Sequence, residues 1–86
     1  MMNKLKQAYL QLAVERDRTR RQAERYAHES QRWTERLALA KRCGEPELAT
    51  QARERALQTA QAEIQLRREL VRQEVLVDQL IASLKA

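Results

Sequence analysis

Residues 41–48 read Lys41-Arg42-Cys43-Gly44-Glu45-Pro46-Glu47-Leu48, and they hold the only glycine and the only proline of the 86-residue chain. Glycine takes the left-handed conformation just past a helix end without steric cost, and proline suits the first turn of the next helix. Lys41 and Arg42 stand where cations complement the C-terminal end of a helix dipole, and Glu45 and Glu47 where anions complement its start. These features agree on one helix boundary. They predict a single domain over residues 1–86, with helix one about 3–43, a tip at 44–46 and helix two about 46–85.

Outward from the tip, each arm carries an apolar seam with a period near 3.5. Alternating steps of four and three from Leu5 reach Tyr9, Leu12, Arg16, Thr19, Ala23, Tyr26, Ser30, Trp33, Leu37 and Ala40, and eight of these eleven positions are apolar. Stepping back from Leu84 reaches Leu80, Val77, Gln73, Leu70, Leu66, Glu63, Thr59, Ala56, Ala52 and Ala49, again eight of eleven. A fold-back centred near Gly44 and Glu45 brings together residues whose numbers sum to about 89. Trp33 then meets Ala56, Leu37 meets Ala52 and Ala23 meets Leu66, large against small as close packing requires. Tyr9 meets Leu80, Leu12 meets Val77, and the polar Arg16 and Ser30 fall opposite Gln73 and Thr59. Thr19 facing Leu70 and Tyr26 facing Glu63 fit less well, although a tyrosine hydroxyl can reach a carboxylate. Two seams read separately thus give one register, and the predicted fold is an all-α, antiparallel two-helix coiled-coil hairpin with arms about 60 Å long.

Composition supports long helices. The chain is 43% hydrophobic and 34% charged with no Phe, and Ala and Leu supply most of its apolar residues. So short a chain with so few bulky side chains buries a modest core, which predicts self-association into a higher-order helical bundle. The lone Cys43 excludes an intramolecular disulfide and a multi-cysteine metal site. No run approaches the ~18 apolar residues of a membrane span, and Met1 to Lys6 lack the apolar core of a secretory signal. The expected location is the cytoplasm, including the cytosolic face of a membrane.

Two stripes lie off the seam. On helix one, Arg18, Arg21, Arg25, Arg32 and Arg36 fall within a sector of ~60°. The net charge of +5 is uneven: residues 1–43 hold 11 Lys/Arg against 5 Asp/Glu, and residues 44–86 hold 6 against 7. Arg21/Arg25 and Arg32/Arg36 are like-charge pairs four apart, each unfavourable by ~0.2–0.5 kcal/mol. The stripe reads either as a solvated face of a charged helix or as a contact for phosphates on lipid or nucleic acid. On helix two, Leu57, Ile64 and Val71 recur every seven residues, flanked by Ala60, Val75 and Ile81. Regular apolar spacing away from the seam predicts an interface with another hairpin or with a larger partner.

Catalytic chemistry is not expected, nor is any cofactor. His28 is the only histidine and falls on the outer side of helix one, so no paired-histidine metal site and no Cys–His nucleophile is placed. Cys43 reads as a small filler at the tip. Tyr26 and Trp33 lie on the seam, which favours packing over base stacking. Without aromatic residues among the outer arginines, nucleic acid is the less favoured partner.

Trp33-Thr34-Glu35-Arg36-Leu37-Ala38-Leu39-Ala40 and Gly44-Glu45-Pro46-Glu47-Leu48-Ala49-Thr50-Gln51-Ala52 together resemble the helical-hairpin signature of the phage-shock-protein A/IM30 family. Trp33 fits that family's tryptophan, followed by Glu35, the basic Arg36 and Leu39-Ala40. Gly44 fits its tip glycine, and Glu47-Leu48-Ala49 with Ala52 its acidic-Leu-Ala run. Lys41 and Arg53 depart from the leucines usual near that tip, and Leu37 from the usual alanine. The resemblance implies an ESCRT-III-like hairpin, homo-oligomerisation and peripheral membrane association in a membrane-stress response. The leading expectation is therefore a non-enzymatic, self-associating scaffold on anionic lipid. The alternatives are a regulatory adaptor docking onto a larger family member or an AAA+ protein, and a basic nucleic-acid-binding helix pair.

Overall fold

The computed structural model describes residues 2–86, with side chains from Lys4 onward. It consists of α1 (Met2–Arg42) and α2 (Pro46–Lys85), folded back on one another as an antiparallel hairpin. The molecule measures 64 × 14 × 13 Å, the length expected of helices of 41 and 40 residues at ~1.5 Å per residue.

Backbone hydrogen bonds close the tip. The Glu45 amide donates to the Ala40 carbonyl at 2.9 Å and the Gly44 amide to the Lys41 carbonyl at 3.2 Å. This pair is a Schellman motif, which satisfies carbonyls that the end of α1 would otherwise leave open. It requires a left-handed residue, and Gly44 supplies φ +66°. Pro46 then starts α2 at a position where a missing amide costs nothing. Glu45 contributes no side-chain cap, and the Ala49 amide bonds the Glu45 carbonyl at 2.9 Å.

Every buried residue among those described lies on one of the two seams. They are Thr19, Ala23 and Ala40 on α1, and Ala49, Ala52, Thr59, Leu70, Gln73 and Val77 on α2. Four of the six apolar members are alanine, and Val77 is the largest side chain to be fully enclosed. Leu12, Leu37, Leu66, Leu80 and Leu84 are only half-buried, as are Tyr9, Trp33 and Ala56. A helix with one neighbour can enclose short side chains at the contact line, whereas longer ones reach past it to water. For this reason two expected seam residues are exposed: Leu5, 40% at the open end, and Tyr26, 37%. The carboxylate of Glu63, expected within reach of the Tyr26 hydroxyl, instead pairs with Arg67 at 2.8 Å on its own helix.

Cross-helix contacts match the register. The Ser30 hydroxyl donates to the Ala56 carbonyl at 3.4 Å, Arg55 lies over the Trp33 ring, and Arg20 pairs with Glu74 at 3.2 Å. Their residue numbers sum to 86, 88 and 94, bracketing the expected 89. The buried threonines satisfy their own hydroxyls on backbone carbonyls one turn back, Thr19 on Glu15 and Thr59 on Arg55. Gln73 differs: its side-chain carbonyl oxygen is buried and accepts no hydrogen bond.

Two stability measurements follow. Gly44→Ala should lower unfolding free energy in urea by about 1 kcal/mol, because an L side chain at positive φ is strained. A Cβ at this position would meet only open space, so no clash adds to that cost. Gln73→Leu should raise stability by about 1 kcal/mol, since it removes an acceptor that is buried without a donor.

Candidate functional site

The seam divides the rod into two flanks that differ in chemistry. On the first flank Arg20 of α1 bridges to Glu74 of α2, the one cross-helix ion pair among the described residues. Both side chains are close to half exposed, so this pair orients the flank more than it stabilises the fold. Steps of three or four residues from Glu74 and Ala60 reach Val71, Ile64 and Leu57, which places the apolar row on this same side. Leu57 is 59% exposed, Ile64 52%, Val71 61% and Val75 51%. Ala60 and Ile81 are half-buried at the margin of the seam. Leu10 and Val14 are also exposed, in a recess they share with Arg18 on α1, and Leu76 is exposed on the other side of α2, two heptads beyond Ala62. Their spacing off the seam was the available signal for them.

The second flank is cationic. Arg18, Arg21, Arg25, Arg32 and Arg36 are all exposed, and none enters an ion pair among the described residues. Toward the tip an open groove of about 620 Å³ runs between the helices, lined by Tyr26, Glu29, Arg32, Trp33 and Arg36 from α1 and by Arg55, Gln58 and Ala62 from α2. The Trp33 ring holds two guanidinium groups: the central carbon of Arg36 lies 4.6 Å from its centroid and that of Arg55 6.0 Å. Such contacts orient a cation over the negative face of the ring without neutralising it.

Trp33 keeps its half-buried place on the seam, as expected of a packing residue, but the expectation that no aromatic accompanies the outer arginines is corrected: Trp33 and Tyr26 lie beside them. Both line the groove wall, because the neighbouring α2 positions are too small or too polar to cover them. Arg55 was not foreseen as a site residue, since its convergence on Trp33 depends on the opposite helix. Arg32 and Arg36 do enter the groove. Arg25 lines a smaller recess beside Tyr26 and Glu29, whereas Arg18 and Arg21 lie nearer the open end.

A second groove, of about 550 Å³, continues to the tip and shares Trp33 and Arg36 with the first. Leu39, Cys43 and Leu48 line it, and all three are exposed. Cys43 is thus part of a surface and not the small filler expected at the tip. His28 is solvent-exposed on α1.

Comparison with protein-family models, with curated proteins and with solved structures returned no match. Fold and surface define the class: a two-helix, coiled-coil-like hairpin with one apolar and one cationic flank. Among the described residues no helix is long and apolar enough to cross a membrane.

The chain's only tryptophan reports on the cationic flank. Relative to a free tryptophan amide, the iodide-to-caesium quenching ratio of Trp33 should be at least about twofold higher at low ionic strength, and the excess should shrink in high salt. A ratio equal to that of the free amide would contradict a positive potential at the groove.

Proposed function

We propose that this protein is a non-enzymatic scaffold that self-associates through the first flank and presents its cationic flank to anionic membrane surfaces from the cytosolic side. The observation that carries the reading is the row of Leu57, Ile64, Val71 and Val75, each more than half exposed in a chain that is 34% charged. Exposed apolar side chains at so regular a spacing are normally covered by a partner. A second hairpin offers an identical row, and two such rows packed together enclose side chains that one pair of helices cannot. Burying them would also add to the thin core of each rod, in which only nine described residues are buried.

The resemblance around Trp33, Gly44 and Glu47-Leu48-Ala49 agrees with this reading, and we propose kinship with the phage-shock-protein A family on those residues. Five arginines without carboxylate partners support the membrane part, because an unpaired guanidinium can bind phosphate without first breaking an ion pair.

Sedimentation equilibrium tests the assembly. The wild-type chain should exceed monomer mass at micromolar concentration. Ile64→Glu with Val71→Glu should shift it to monomer and leave helical circular dichroism intact, since both positions are exposed in the single hairpin. A strict monomer at high concentration would overturn self-association.

A further inference from the structure

The tip half of the second flank has two adjoining zones. The first is cationic: Arg32, Arg36 and Arg55 share a groove in which Glu29 is the only carboxylate, and none of the three arginines is ion-paired among the described residues. The second is mostly apolar, with Glu45 its one carboxylate: Leu39 is 52% exposed and Leu48 55%, on either side of the groove that reaches the tip. Trp33 lines both zones and lies at their junction.

We propose that this tip face is the part of the protein that enters an anionic bilayer. The guanidinium groups of Arg32, Arg36 and Arg55 take lipid phosphates, while Trp33, Leu39 and Leu48 reach the outer acyl region. The proposal rests on the reading of the chain as peripheral on anionic membranes, and it assigns that contact to the tip instead of to the whole arginine stripe.

Complementarity selects the partner. A bilayer surface presents phosphates above hydrocarbon, the same two chemistries that adjoin on this face. Single-stranded nucleic acid would satisfy the arginines and Trp33 but would leave Leu39 and Leu48 in water. Tryptophan favours the boundary between headgroups and chains, where its ring is partly apolar and its N–H stays wet. The guanidinium contacts with the ring hold the cations beside that boundary before any lipid arrives. The face lies at one end of a 64 Å rod, so it can meet a flat surface while the apolar first flank stays free for assembly.

Trp33 is the probe. The full chain is mixed with vesicles of phosphatidylcholine alone, with vesicles also containing phosphatidylglycerol, and with anionic vesicles carrying brominated acyl chains. Flotation with anionic but not neutral vesicles is expected, together with a blue shift of Trp33 emission and its quenching by bromine. Removing one surface arginine should weaken binding about fivefold, so Arg32→Gln, Arg36→Gln and Arg55→Gln combined should weaken it on the order of a hundredfold. Arg18→Gln, Arg21→Gln and Arg25→Gln combined should keep the bromine quenching once protein is bound.

Binding to anionic vesicles with Trp33 unshifted and unquenched would overturn the tip site and leave the peripheral reading standing. Absence of flotation with anionic vesicles would overturn both. Inorganic phosphate that alone reproduces the blue shift would overturn the lipid assignment. So would a single-stranded oligonucleotide that shifts Trp33 emission and displaces the protein from the vesicles.

Discussion

Two helices in contact can enclose only what fits between their backbones, and this limit governs the rest of the molecule. At the contact line alanine, threonine, Gln73, Val77 and Leu70 are buried, whereas the other leucines at equivalent positions stay half in water or more. A third helix would cover them, and the hairpin has none. The core is therefore a thin line of mostly small side chains, and nearly every larger apolar residue on α1 or α2 becomes surface. What such a hairpin can do depends on how that surface is arranged.

The arrangement is lateral. Seam residues separate one flank where Arg20 and Glu74 meet beside Leu57, Ile64 and Val71 from another where guanidinium groups gather around Trp33. An assembly contact and an anion contact placed on the same side would exclude one another. Placed on opposite sides of a rod 13–14 Å thick, the two proposed contacts would not compete, and copies joined along the first flank would hold their cationic faces outward.

The tip joins the two arms with little freedom. Gly44 turns the chain in the left-handed region, the Ala40 and Lys41 carbonyls are satisfied in passing, and Pro46 restarts the helix. A looser connection would allow the arms to slide by a heptad with modest loss, since alanine-rich seams resemble themselves. The short turn opposes such slippage, as do the polar positions: Ser30 bonds the backbone at Ala56, and the buried Gln73 tolerates few neighbours. The unpaired oxygen of Gln73 is a cost that a purely apolar seam would avoid.

The hairpin itself was legible in the sequence. One Gly-Glu-Pro break and two seams that agree on a register suffice, because helical periodicity encodes which side of its own helix each residue occupies. The apolar row and the arginine stripe were visible for the same reason. Tertiary structure alone decided which seam residues are enclosed, and it moved Tyr26 and Leu5 to the surface. It also brought Arg55 of α2 onto Trp33 of α1, joining part of the stripe to an aromatic ring and an apolar tip. Periodicity gives the direction of a side chain, but burial and convergence depend on its length and on what the other helix places opposite it. That information lies about twenty residues away along the chain and only a few ångströms away in space.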